Sequence, residues 1–111
     1  MNSDSDPRRR PIRPIAPGRG GCIASRRITE DGCLVGLMYR DAPHNEMDSG
    51  WRFIAGDEDD DYMNETANHA VYDVNTIANY DEDIVQYLDA ELGSQFARER
   101  PGAREAVLAS R

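Results

Sequence analysis

From residue 21 onward, apolar and polar positions alternate in short runs, and the first two runs frame a turn. "CIASRRI" (22–28) and "CLVGLMY" (33–39) flank Thr29-Glu30-Asp31-Gly32. An Asp-Gly pair between alternating runs is a strong short-range hairpin signal. With Asp31-Gly32 as the loop, Ile28 opposes Val35, Arg26 opposes Leu37 and Ala24 opposes Tyr39. Ala24, Ile28, Val35, Leu37 and Tyr39 then share one face, as a half-buried sheet requires. Arg26 interrupts that face and is expected near an edge or paired. In this register Cys22 and Cys33 lie at opposite ends of the hairpin, roughly 25 Å apart at about 3.3 Å per residue. A disulfide needs Cα atoms within about 7 Å, so both cysteines are expected as free thiols.

The polar stretch 41–49 leads to "GWRFIA" (50–55), which predicts a third strand. Trp51, Phe53 and Ala55 point one way, and Arg52 and Ile54 the other. Gly56 breaks the strand. Asp57 is then placed to cap a short helix whose acidic first turn suits the helix dipole, with Tyr62 and Met63 as its apolar foot. Residues 69–80 fit a short strand running into a turn. In 79–93, Ile84, Tyr87 and Leu88 recur at the spacing of one buried helix face, and Gly93 ends the run. "SQF" (94–96) suggests an edge strand, and "REAVLASR" (104–111) a marginal helix too short to hold without docking. The order predicts an α+β fold: a small antiparallel sheet of three to five strands, with two short helices packed on one side.

Residues 1–20 break this pattern. Four Pro, two Gly and isolated apolar residues without a period predict a disordered Arg/Pro-rich arm. The expected organisation is that arm, a single α+β domain over 21–97, and a C-terminal tail over 98–111. A total of 111 residues suits one domain rather than two.

Charge divides the chain further. The arm carries five Arg against two Asp, a balance of +3, whereas 21–111 carries eight Arg against 19 acids, a balance of −11. Between Asp41 and Glu91 stand 15 acids and only Arg52, which gives −14. Such a field repels nucleic acid and favours encounter with basic proteins. No long apolar run predicts a membrane span, and no apolar stretch follows Arg8-Arg9-Arg10 as a secretory leader would require. With unbridged cysteines, the expected compartment is the reducing cytoplasm.

The densest charge, Asp57-Glu58-Asp59-Asp60-Asp61, admits three roles: a cation site, a solvated helix start, or a surface for a basic partner. A calcium hand starting at Asp57 finds acids at loop positions 1, 3 and 5, but Tyr62 where glycine belongs and Asn68 where the bidentate Glu belongs. His44, Glu46, Asp48 and His69 carry no metal-ligand spacing. Cys22, Cys33 and Ser49 lack any nucleophile motif. Gly18-Arg19-Gly20-Gly21 lacks the strand and helix of a phosphate loop, and Asn64-Glu65-Thr66 is a sequon without a secretion signal. The expectation is a protein without a cofactor and not an enzyme. Its partner-binding candidates are Asp57, Glu58, Asp59, Asp60 and Asp61, together with the second acidic group Asp81, Glu82 and Asp83.

Three motifs carry a wider likeness: D-S-G-W-R-F at 48–53, G-D-E-D at 56–59 and V-N-T-I-A-N-Y at 74–80. Over residues 22–97 the chain resembles a bacterial family first catalogued as a domain of unknown function. That family is grouped, as the thirty-third, with the immunity proteins of polymorphic toxin systems. The resemblance implies a small cytoplasmic protein that neutralises a cognate toxin by binding it. A toxin that cuts nucleic acid has a basic cleft, which the acidic segment complements. The alternative is a solitary interaction or regulatory module with no toxin. In either case Trp51 is expected inside the core, fixing the sheet edge from which Gly56 launches the acidic turn.

Overall fold

The computed structural model describes residues 7–98 and 108–110. Its strands are β1 (Gly21–Ser25), β2 (Leu37–Arg40), β3 (Asp48–Ile54), β4 (His69–Asp73), β5 (Gln95–Arg98) and the three-residue β6 (Leu108–Ser110). The helices are α1 (Arg26–Thr29), α2 (Asp60–Asn64) and α3 (Val74–Tyr80), with a 3₁₀ helix over Glu82–Tyr87. The strands form one sheet in the order β4-β1-β3-β2-β5-β6. The α+β class is as expected, but the sheet is mixed because β1 runs parallel to β3. Every other pairing is antiparallel.

Alternation along each strand sorts the side chains into a covered and an open face. Cys22, Ala24, Met38, Trp51 and Phe53 are buried beneath Ile28 of α1, Val74, Ile77 and Ala78 of α3, and Ile84 and Leu88. Trp51 and Phe53 therefore lie where the pattern placed them. Trp51 stacks on Phe53 with centroids 6.1 Å apart, and its Nε1 donates to Leu88 O at 3.2 Å. The i, i+3, i+4 pattern of Ile84, Tyr87 and Leu88 belongs to the tighter 3₁₀ helix and the residue after it.

The hairpin between the first two runs does not form. β1 stops at Ser25, whose Oγ accepts from Arg27 N and caps α1. Ile28 enters the core from that helix, and Glu30 N and Asp31 N both donate to Arg26 O as it ends. Gly32 has a φ of 89°, so the Asp-Gly pair does turn the chain, but out of a helix rather than between strands. β1 lies between β3 and β4 instead of beside β2. Arg26 leaves the sheet and donates to Ala67 O at 2.6 Å and to Glu30. Two further elements differ. The stretch 74–80, expected as a turn, is α3, capped by Asp73 on Asn75 N. At the C-terminus, Leu108–Ser110 is a strand pairing with β5 where a helix was expected, and the rest of that segment lies outside the described residues apart from Arg98.

Both cysteines are free, although the hairpin that argued for it is absent. Burial pushes the Cys22 thiol up to about 12, while Cys33 is half-exposed. Thiolate is the reactive form. A disulfide-exchange reagent should therefore titrate Cys33 alone in the native protein, and both thiols after denaturation. Two fast-reacting native thiols would contradict this packing.

The described part of the arm does not hang free. Asn75 Oδ1 accepts from Ile15 N at 2.9 Å and Ala16 N at 2.7 Å, and its Nδ2 donates to Arg13 O. Asn79 binds the N and O of Arg13. Ala16 is buried in the core cluster. Arg13 and Arg19 reach Glu82 and Asp89, exposed pairs that contribute little alone. The two amides and the burial of Ala16 therefore hold the arm against α3. Asn75→Ala, which removes three hydrogen bonds at a half-buried site, is expected to destabilise the fold by about 1–3 kcal/mol in urea denaturation. A change within error would mean that the arm is merely resting on α3.

Candidate partner-binding surface

The acidic run is less free than its sequence suggests. Asp57 pairs with Arg27, and the two oxygens of Glu58 accept from Ala55 N and Gly56 N, each at 2.8 Å. The cap of α2 is Asp59, not Asp57: its Oδ1 accepts from Tyr62 N at 2.8 Å. Capping needs an acceptor one residue before the first helical turn, and that turn begins at Asp60. Among the described residues, Asp60 and Asp61 have no hydrogen-bond or ion-pair partner, and they stand exposed in the first turn where the dipole favours them. Nor do Tyr62 and Met63 form a buried foot, since α2 buries no residue. Tyr62 packs edge-on against His69 at 5.8 Å.

The second acidic group is taken up more fully still. Asp81 is 4% exposed, and its Oδ2 accepts from Val35 N at 2.9 Å and from Arg98 at 2.7 Å. Burial pushes its carboxyl above the ordinary value, against the opposing pull of Val35 N–H and Arg98. Asp83 adds a weaker contact to Arg98 at 3.3 Å, and exposed Glu82 meets Arg13. Asp81 therefore cannot touch a partner, and it belongs to the core instead.

Each of the three sequence motifs has a folding role. In D-S-G-W-R-F, Asp48 holds Arg52 through both oxygens at 3.0 and 2.8 Å, and the Arg52 guanidinium holds its carboxyl well below the usual range. Ser49 Oγ donates to Gly21 O at 2.6 Å, stitching β3 to β1. Gly50 has a φ of 91°, and a Cβ there would lie 2.2 Å from Asp41 O, so only glycine fits. G-D-E-D supplies the turn at Gly56 and the acid contacts given above, and V-N-T-I-A-N-Y is α3 with its two arm-holding amides. All three motifs thus hold the fold together. Sequence reasoning missed Arg98, Asn75 and Asn79 because lone polar residues carry no period.

Beyond the acids, the open face of the sheet offers a groove of about 760 Å³ between β1, β4 and the 44–48 loop. Ile23, His44, Glu46, Val71 and Asp73 line it, with Met47 79% and Val71 75% exposed at its rim. Among the described residues, no group of three or more His, Cys, Asp or Glu is placed to hold a metal ion, and no helix is long and apolar enough to cross a membrane.

These features define a small α+β domain with one covered sheet face, one open face and an acidic helix start. The chain belongs to the immunity protein Imm33 domain family, whose model matches residues 22–107. No curated protein and no solved structure matches it.

Proposed function

We propose that this chain is an immunity protein of a bacterial toxin system, acting in the cytoplasm by binding its toxin directly and not by catalysis. Family membership supports the class of function. The observation that carries the mode is the pair Asp60 and Asp61, exposed and without a partner among the described residues, within a segment of charge −14. Uncompensated carboxylates on a protein surface draw in a cationic partner and act chiefly on the association rate. The partner is thus a toxin domain with a basic cleft. Of the eight candidate acids, Asp60 and Asp61 are the free contacts. Asp57, Asp59 and Glu82 add field at the surface while holding their own structural partners.

The test begins with isolation of the native complex and identification of its partner. Association kinetics are then compared for the wild type and the double variant Asp60→Asn, Asp61→Asn. Association is expected to slow several-fold at low salt, with the difference closing as the screening length falls to about 10 Å at 0.1 M. Thermal stability should be unchanged. Equal rates at low salt would overturn the acidic contact, and a partner unrelated to any toxin would favour the solitary regulatory module.

A further inference from the structure

β4 is an edge strand, and among the described residues no strand pairs with its outer side. It lies at the end of the sheet, and its register on β1 matches Gly21 with Asp73, Ile23 with Val71 and Ser25 with His69. One step beyond, Val74 N donates to Gly20 O at 2.9 Å. Antiparallel ladders alternate hydrogen-bonded and non-bonded pairs. The bonded pairs with β1 therefore fall at 74, 72 and 70, and the backbone groups of His69, Val71 and Asp73 face away from the sheet. Within the strand, His69–Asp73 contains no Pro, Lys or Arg to block pairing, and Val71 at its centre is 75% exposed.

We propose that β4 pairs with β4 of a second copy of this chain, antiparallel, about a two-fold axis through Val71. The sequence of the strand is self-complementary in that register. Val71 meets Val71 on the axis, small Ala70 meets large Tyr72, and His69 meets Asp73. No pair sets like charges opposite each other, which would be destabilising. The backbone also fits. The two Val71 residues exchange N–H and C=O, and each Asp73 N–H meets the His69 carbonyl of the other copy. The remaining groups at that pair are already engaged: His69 N donates to Thr66 O, and the Asp73 carbonyl, at the cap of α3, serves the first helical turn. The result is one continuous sheet across two protomers, with an isologous interface. It also brings the two grooves beside Val71 to the axis. The inference is independent of the proposed function.

The experiment is sedimentation equilibrium of the full chain over a wide concentration range. The wild type is expected to be a dimer that dissociates on dilution. Val71→Lys and Val71→Glu each place like charges face to face on the axis and should each be monomeric. Circular dichroism should show both folded, since Val71 is exposed. An equimolar mixture of the two variants should recover the dimer, because Lys then faces Glu. Three results would each overturn the proposal: a wild type that stays monomeric, leaving the edge to a strand of another protein; a dimer indifferent to both variants; and variants that do not recover on mixing, which takes residue 71 off the axis.

Discussion

Trp51→Ala is expected to strip the chain of a large share of its stability. The indole is 1% exposed, stacks on Phe53, leans on Phe96 at 6.5 Å and carries the Arg40 guanidinium 5.6 Å from its centroid. Its N–H also satisfies the Leu88 carbonyl at the end of the 3₁₀ helix. Removing a buried aromatic of this size costs about 3–5 kcal/mol, against a total stability of about 5–15 kcal/mol for a small domain. Trp51→Phe keeps most of the apolar volume and loses the hydrogen bond, so it should fall between the two. Circular dichroism with urea denaturation reads both. A Trp51→Ala protein as stable as the wild type would contradict the packing of β3 beneath α3 and the 3₁₀ helix.

Arg98→Met is expected to be nearly as damaging, for an electrostatic reason. The Arg98 and Asp81 side chains are 1% and 2% exposed, and Arg98 Nε also donates to Val35 O at 2.9 Å. Truncating one member leaves the other charge buried without its counterpart, a loss of about 3–5 kcal/mol. Replacing both, as Arg98→Met with Asp81→Leu, removes the stranded charge and should recover part of the loss. Asp83→Asn, at a 30% exposed side chain with the longer contact, should do little. Urea midpoints for the wild type, these three variants and the single Asp81→Leu decide the matter. Additive losses in the double variant would show that the two groups do not act as a pair.

The strand around Trp51 was legible because alternation of large apolar residues has one structural reading. The first hairpin was not, and the reason is general. An Asp-Gly pair announces a positive φ at glycine, which Gly32 has, but says nothing of the direction from which the chain arrives. Ser25, a cap acceptor just before Arg26, was the competing signal. The misplaced Arg26 on an otherwise apolar face was its symptom. In α3, Val74, Ile77 and Ala78 held a helical spacing that the alternation of Val71 and its neighbours obscured. The arm was illegible for a different reason, since side-chain amides sixty residues away hold it. At the acidic run the composition was plain, but the allocation of each carboxylate depends on which N–H lies nearby. That is fixed by where the helix starts.

The parallel pairing of β1 with β3 bears on how the chain can come to be folded at all. Both strands that flank β1 follow it in the chain, the nearer beginning at Asp48 and the farther ending at Asp73. As the polypeptide leaves the ribosome, Gly21–Ser25 emerges before either of the strands that flank it. The first ladder within reach joins β2 to β3 across the short 41–47 connection, and β1 can be clasped only after β3 and β4 have both emerged. Pairings separated by so much chain close slowly. The nascent chain therefore passes through an interval in which β1 is bare, and the closing of its two ladders waits on residues made after it.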